Sequence, residues 1–245
     1  MDIFLRILLV LGIILGTAVG LFLIFILIPT IAGLFVDQSK LYDRDSKGYR
    51  RLFNALVAIG MFFCNIKVTY EGDELVPEGR FLFICNHRSN FDPILTARVM
   101  RKYELAFISK EENFKVPFFG RMLRKLCYMP LKRDDPRDAL VIINHSAKLI
   151  KDDQCSVAVY PEGKRSFSGE LLPFHGGVLK IAQKAGVPIV VATIEGTEQI
   201  KTRFPRRSHV TLRILRTVPA DEVHDKRSVE LGEELHDEML TALGR

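Results

Sequence analysis

A long uncharged apolar run near the N-terminus is the feature that most constrains this chain. No charged residue occurs from Ile7 to Val36, and the stretch from Leu8 to Ile28 alone is long enough to cross the hydrocarbon core of a bilayer as a helix. A secretory signal peptide has a shorter apolar segment and a small-residue cleavage site, which is not evident here. Pro29 interrupts the run and leaves two arrangements open. One is a spanning helix that ends near Pro29, and the other is a helix that bends there, dips into one leaflet and returns.

The charges on either side of this run predict its orientation. Before it stands only Arg6, with Asp2 nearby, whereas several cations follow it within about fifteen residues: Lys40, Arg44, Lys47, Arg50 and Arg51. Because cytoplasmic flanks of membrane helices carry an excess of Lys and Arg, we expect a membrane-bound protein whose body lies on the cytoplasmic face.

A second apolar stretch runs from Leu52 to Ile66 and is too short to span a bilayer comfortably. It either lies in the membrane interface, with Phe62 and Phe63 inserted, or is a buried helix of the body. We favour the interface, and therefore divide the chain into an N-terminal anchor with an interfacial helix (1–66) and a second domain (67–245).

Strand-like and helix-like segments alternate from Lys67 onward, which predicts an α/β body with a mixed, largely parallel sheet flanked by helices. The predicted strands are 67–71, 80–85, 105–109, 129–131, 156–160, 187–194 and 210–218. The predicted helices are 92–102, 117–126, 136–151, 176–185 and 221–243. Asp92 is expected to cap the first of these helices, with Pro93 as its first residue.

The formal net charge of +6 is modest and clustered. Clustered cations are either a solvated surface or contacts to anionic lipid head groups and phosphate. The clusters are Arg98, Arg101 and Lys102; Arg121, Arg124 and Lys125; Lys132 and Arg133; and Lys201, Arg203, Arg206 and Arg207. Nucleic acid is not expected as a partner, because no nucleic-acid-binding motif accompanies the charge. The residues leave the oligomeric state open.

His87 and Asp92 form the first candidate site. His87 follows a predicted buried strand, and Asp92 stands five positions later. A connecting loop can fold the carboxylate onto one imidazole nitrogen and leave the other nitrogen free as a base. The missing nucleophile would then be a hydroxyl of the substrate. A capping Asp beside an incidental His is the plainer alternative, and a metal site with these two ligands is a third.

A turn with cations forms the second candidate site. In the segment Tyr160 to Ser166, Gly163 permits a backbone turn that binds anions, and Arg165 offers a forked donor for phosphate. Lys110 and the pair Lys132-Arg133 also follow predicted strands. Because the carboxyl ends of parallel strands share one edge, we expect these cations to face His87.

Together these segments resemble the glycerolipid acyltransferase family, which includes the 1-acyl-sn-glycerol-3-phosphate acyltransferases. Asn86-His87 with Asp92 is similar to the family's NHxxxxD motif. Three further blocks match in order between residues 67 and 200: Pro130-Leu131-Lys132-Arg133, Tyr160-Pro161-Glu162-Gly163-Lys164-Arg165-Ser166 and Val187-Pro188-Ile189-Val190.

The resemblance implies a glycerol-phosphate acyltransferase-like fold and acyl transfer from acyl-CoA or acyl carrier protein to a lysophospholipid, most specifically to the sn-2 hydroxyl of 1-acyl-sn-glycerol-3-phosphate. It implies His87 as the general base and Asp92 as the group that orients it, with no metal or cofactor in the chemical step. The residues that it implies at the substrate are Asn86, Lys110, Arg133, Glu162, Gly163, Lys164 and Arg165. A lysophospholipid with another head group, or an aminolipid, stays open as the acceptor.

The chain departs from the family pattern at four positions that bear on the acceptor. Tyr160 stands where the block has Phe, Lys164 replaces Thr, His175 stands where Lys is frequent, and Ala192 stands where a second Pro is usual.

A mixed apolar and basic segment precedes the second block. It either forms an interfacial patch or acyl groove, or packs partly in the core. Its apolar members are Phe114, Val116, Phe118, Phe119, Met122 and Leu123, and its cations are Lys115, Arg121 and Arg124.

Overall fold

The structure is a computed structural model. It describes residues 3–117, 119–132, 135–166 and 169–244. The helices are α1 (Ile3–Leu34), α2 (Lys47–Phe63), α3 (Asp92–Val99), α4 (Gly120–Leu123), α5 (Pro136–Lys151), α6 (Lys180–Ala185), α7 (Ile200–Arg203), α8 (Ala220–Asp225) and α9 (Ser228–Ala242). The strands are β1 (Ile66–Glu71), β2 (Leu82–Cys85), β3 (Ala106–Lys110), β4 (Met129–Leu131), β5 (Val157–Val159), β6 (Ile189–Glu195) and β7 (Ser208–Val218).

The strands form one seven-stranded sheet in the order β1-β7-β6-β2-β5-β3-β4. Neighbouring strands are parallel except β6 and β7, which are antiparallel. The four residues of β2 are all buried, as expected for a strand covered by helices on both faces. The prediction of a mixed, largely parallel sheet flanked by helices is confirmed, and β2, β5, β3 and β4 end at the same edge.

Helix α1 is one segment of 32 residues that continues past Pro29 to Leu34, so the first of the two arrangements, a helix that ends near Pro29, is wrong. The turn that follows Pro29 is held against the body. Pro29 and Gly33 are buried, the Tyr49 hydroxyl donates to the Ala32 carbonyl at 2.8 Å, and the Thr30 hydroxyl donates to the Ile26 carbonyl at 2.7 Å. The Tyr49 contact fixes the last turns of α1 to α2, although Pro29 cannot donate a helical hydrogen bond. Within the described ranges, α1 is the helix whose length and composition suit a membrane span.

Helix α2 combines the two alternatives that the sequence left open. One face packs in the core through Phe53, Leu56 and Val57. At its C-terminal end, by contrast, the side chains of Phe62 and Phe63 are 80% and 70% exposed. The helix therefore belongs to the packed body along most of its length, while the division of the chain at residue 66 stays a prediction.

Four predicted helices differ from those observed. The helix predicted over 92–102 ends at Val99, the one predicted over 176–185 begins as a 3-10 turn through Leu179, and two others are broken. The segment 221–243 divides into α8 and α9 at Lys226, whose ammonium group pairs with Glu222 at 3.1 Å and with Glu234 at 2.6 Å, one on each helix. Among the described residues of the segment 117–126, the chain forms α4 and a short 3-10 turn. A Cβ at Gly120 would stand 2.5 Å from the Phe114 carbonyl oxygen, so the glycine lets the start of α4 pack directly on the preceding turn.

Candidate active site

The candidate residues come together at the carboxyl edge of the sheet. His87 follows β2, Glu162 follows β5, Lys110 ends β3 and Lys132 follows β4. These four strands are parallel neighbours. The sequence argument that strand ends share one edge therefore holds for these positions. Arg133 lies outside the described residues.

His87 and Asp92 form a hydrogen-bonded pair. Imidazole Nδ1 lies 2.8 Å from Asp92 Oδ2, and the carboxylate is completely buried. An acceptor at Nδ1 favours the tautomer in which Nδ1 carries the proton, which leaves Nε2 with a free lone pair. The His87 side chain keeps 15% of its surface exposed. The pair therefore presents a base at the surface of the site.

The same carboxylate shapes the loop that precedes α3. The backbone N–H groups of Arg88 and Ser89 each donate to Asp92 Oδ2 at 2.7 Å. The expectation that Asp92 caps α3 is wrong, because the carboxylate turns back toward these earlier residues and Asp92 is itself the first residue of the helix. The loop between His87 and Asp92 is thus closed around one carboxylate oxygen.

A second buried carboxylate joins this loop to the turn after β5. Glu162 Oε1 accepts from the His87 backbone N–H at 2.5 Å, and Oε2 accepts from the Leu172 N–H at 2.9 Å. Glu162 is 2% exposed, and this burial raises its pKa, although the two N–H donors act in the opposite direction. The backbone N–H of Ser166 also donates to the His87 carbonyl at 2.9 Å. Glu162 therefore ties His87 and the turn together.

Asn86 fixes the end of β2 from the other side. Its amide nitrogen donates to the Ile194 carbonyl at 3.0 Å, and its amide oxygen accepts from the Ile194 N–H at 2.7 Å. Through these two bonds the Asn86 side chain continues the hydrogen-bonded pairing of β2 with β6 beyond the end of β2. The geometry gives Asn86 a positioning role beside His87, and its contact with substrate stays a prediction.

The ring of Tyr160 supports the imidazole. The two rings stack with centroids 4.3 Å apart and an angle of 17° between their planes, and the Phe107 ring stacks with Tyr160 at a centroid distance of 5.9 Å. The buried hydroxyls of Tyr160 and Thr96 approach each other, but neither completes a hydrogen bond of ordinary geometry within the described residues. Burial raises the pKa of the Tyr160 hydroxyl, which keeps it neutral.

The turn after β5 has the backbone that the sequence predicted. Gly163 has φ +67°, and a Cβ there would lie 3.0 Å from His175 Cδ2. Lys164 and Lys110 are exposed at this edge, and Arg165 is half-buried. The contacts of these residues with a phosphate group stay predictions.

Arg88 is a cation beside the site that the sequence analysis missed. Its Nη2 donates to the Gly169 carbonyl at 3.1 Å, and its Nη1 lies 3.8 Å from Glu195 Oε1, at the end of β6. The only signal in the sequence was its place next to His87, because both partners lie far away along the chain.

Comparison with known proteins decides the family. A family model described as "Acyltransferase" matches residues 67–195, which is more than half of the chain. The chain belongs to the acyltransferase family. It is 33% identical over 162 residues to a chloroplastic 1-acyl-sn-glycerol-3-phosphate acyltransferase of Brassica napus, covering 65% of this chain and 46% of that protein. It is 27% identical over 179 residues to the 1-acyl-sn-glycerol-3-phosphate acyltransferase of Cocos nucifera, covering 72% of this chain and 58% of that protein.

A solved member of this acyltransferase family shares the fold. The crystal structure of the 1-acyl-sn-glycerophosphate acyltransferase PlsC from Thermotoga maritima superposes with a TM-score of 0.66 at 25% identity, covering 80% of this chain and 78% of that one. The chain spans about half the length of the two plant relatives.

Proposed function

We propose that this acyltransferase-family chain transfers a fatty acyl group from acyl-CoA or acyl carrier protein to the free sn-2 hydroxyl of 1-acyl-sn-glycerol-3-phosphate, giving phosphatidate for phospholipid biosynthesis. One observation carries the proposal: Asp92 holds Nδ1 of His87 at 2.8 Å and leaves Nε2 free on a side chain that is 15% exposed. The names of the relatives support the choice of acceptor.

The proposed step uses that nitrogen as the general base. Nε2 of His87 takes the proton of the acceptor hydroxyl, and the oxygen forms a bond to the thioester carbonyl carbon. The tetrahedral intermediate then collapses, the C–S bond breaks, and the thiolate takes the proton back from the imidazolium. Asp92 stabilises the imidazolium between these two transfers. The step needs no metal and no cofactor.

The acceptor phosphate is proposed to bind at the cations on the same edge. Lys110 and Lys132 stand at the ends of β3 and β4, and Arg165 follows the glycine turn. Arg133 is proposed on its sequence motif alone. The lipid substrates and the apolar helix α1 both suit a catalytic domain at a membrane surface, which we propose to be the cytoplasmic face.

The test is an acyl-transfer assay on the full chain in detergent or vesicles, with labelled acyl-CoA and acyl carrier protein as donors. We expect transfer to lysophosphatidate in preference to lysophosphatidylcholine. We also expect His87→Ala to lower kcat by about 10²- to 10⁴-fold, the usual contribution of a general base.

His224→Ala is the matched control, because His224 is exposed on α8, away from the sheet edge that carries His87. We expect it to retain full activity. Near-normal turnover in His87→Ala would refute the mechanism, while equal use of lysophosphatidylcholine would refute the acceptor and favour a lysophospholipid with a larger head group.

A further inference from the structure

A cavity of about 550 Å³ lies where α1 meets the body. We call it the root cavity. Its lining includes Pro29, Gly33 and Leu34 from α1, and Val116, Arg121 and Arg124 from the body. It is distinct from the His87 loop, none of whose residues line it.

The depth of the root cavity follows from the length of the helix. Leu8 to Ile28 spans about 30 Å as a helix, which is the thickness of a bilayer's hydrocarbon core. When this stretch crosses the core, the next turn, from Pro29 to Leu34, stands in the layer of lipid head groups. In that register, the root cavity opens at the level of lipid phosphate.

The body is held firmly to this turn of α1. A Cβ at Gly33 would stand 3.3 Å from the Cβ of Arg121, so glycine lets the arginine lie directly on the helix. The rings of Phe25 and Phe119 pack with centroids 6.1 Å apart. The cations of the root cavity are thus fixed at one height along α1.

Two of these cations lack a carboxylate partner. Glu111 also lines the cavity, and it pairs with Lys115 at 3.6 Å. Glu111 and Asp37 attract Arg124 from beyond ion-pair distance, and among the described residues no carboxylate forms an ion pair with Arg121 or Arg124. Arg124 stacks over the Phe114 ring at 5.0 Å and donates from Nη1 to the Lys40 carbonyl at 3.1 Å.

Arg124 also has an unmet donor. Its Nε is buried without an acceptor among the described residues, and burial lowers its pKa. An anion in the cavity would offset the cost of holding this guanidinium out of water.

The remaining lining suits the apolar part of a lipid. Val116 is 48% exposed and Leu34 66% exposed, and above them the outer surface of α1 is continuously apolar. Cations at phosphate depth beside an apolar helix match the two ends of a membrane phospholipid.

We propose that the root cavity binds an anionic phospholipid of the surrounding bilayer, with its phosphate on Arg121 and Arg124 and its acyl chains along α1. This lipid is a structural ligand that sets the depth of the α/β domain relative to the bilayer. It is a different molecule from the acceptor that is acylated. This site rests on α1 lying in the bilayer and not on the proposed reaction.

The chain contains no tryptophan, so Val116→Trp introduces a single tryptophan, whose fluorescence can be excited apart from that of the tyrosines, into the lining of the root cavity. The full chain is placed in phosphatidylcholine vesicles that contain brominated phosphatidylglycerol or, at the same mole fraction, brominated phosphatidylcholine. We expect stronger quenching by the anionic lipid. We expect Arg121→Gln to reduce its relative affinity about fivefold, and Arg121→Gln with Arg124→Gln to remove the preference.

Arg98→Gln with Arg101→Gln is the matched control, since Arg98 in the last turn of α3 and Arg101 just after it do not line the root cavity. It should keep the preference, and so should His87→Ala, which separates this site from catalysis. Arg121→Gln changes an exposed side chain and guards against misfolding of the double variant. Three results would overturn the proposal. One is equal quenching by both lipids, and another is an equal loss of the preference in the control pair. The third is displacement of brominated phosphatidylglycerol by free CoA, or by lysophosphatidate but by no other anionic phospholipid.

Discussion

The imidazole of His87 is restrained at three points. Asp92 holds Nδ1, the ring of Tyr160 lies against its face, and Glu162 binds its backbone N–H. Each contact removes a different freedom: rotation of the ring about χ2, displacement of the ring, and movement of the loop. A base fixed in this way keeps Nε2 at one position, which lowers the cost of reaching the reactive geometry.

Tyr160 is expected to act through its ring and not through its hydroxyl. Tyr160→Phe removes a buried hydroxyl without an ordinary hydrogen bond, so we expect unchanged activity and equal or greater stability. Tyr160→Leu removes the stacked ring and should lower both kcat and the unfolding midpoint. Paired measurements of kcat and chemical unfolding check this, and a large loss of kcat in Tyr160→Phe would contradict it.

The pairing of His87 with Asp92 was predictable at this scale, because both residues lie in one short loop. The roles of Asn86 and Glu162 were not, since their partners, Ile194 and Leu172, depend on how distant segments meet. The direction in which the Asp92 carboxylate turns was equally unpredictable, and this is why the cap predicted there is wrong. Its carboxylate could serve α3 or the preceding loop, and only the folded loop decides between them.

At the scale of elements, the parallel strand ends place the candidate residues together. Short apolar runs made β2, β5 and β6 predictable, and the order of the strands follows from their pairing. The helices were less predictable, because their apolar periodicity continues through positions where tertiary contacts end a helix. Lys226 shows this, since ion pairs to both α8 and α9 stabilise an extended residue between them.

The turn at Gly163 offers a test with a matched control. Gly163 and Gly186 have similar positive φ angles, +67° and +72°, but only a Cβ at Gly163 would meet another side chain, that of His175. We expect Gly186→Ala to lower the free energy of unfolding by about 1–2 kcal/mol through backbone strain alone. Gly163→Ala should lower it at least as much and also raise the KM for the acceptor.

Denaturant unfolding and steady-state kinetics of the two variants check this expectation. An unchanged acceptor KM in Gly163→Ala would show that the shape of this turn does not matter to the acceptor.

At the scale of the whole molecule, one buried arginine ties α2 to the segment that leads into β3. Arg50 is 6% exposed, and its Nη2 lies 2.6 Å from Asp45 Oδ1 while its Nη1 donates to the Leu105 carbonyl at 2.9 Å. The sequence analysis counted Arg50 among the cations of the membrane flank. Composition alone does not distinguish a flank cation from one buried under a helix, because both stand in a basic cluster before an apolar stretch.

Arg50→Met is expected to lower the free energy of unfolding by about 3–5 kcal/mol, because it leaves the buried Asp45 carboxylate without its main partner. Arg51→Met is the control: its side chain is exposed on the same helix, and we expect a change within about 0.5 kcal/mol. Denaturant unfolding of both variants in detergent measures the difference. Equal effects would show that the buried contacts of Arg50 with Asp45 and the Leu105 carbonyl do not stabilise the fold.

The most direct test of the account is the kcat for acyl transfer in His87→Ala, Asp92→Asn and the double variant. Asparagine at position 92 keeps an oxygen that can accept from the Arg88 and Ser89 N–H groups. The charge of Asp92 is proposed to act through His87, so the double variant should be no slower than His87→Ala alone. If the two losses multiply, the carboxylate acts independently of the imidazole, and the proposed mechanism is wrong.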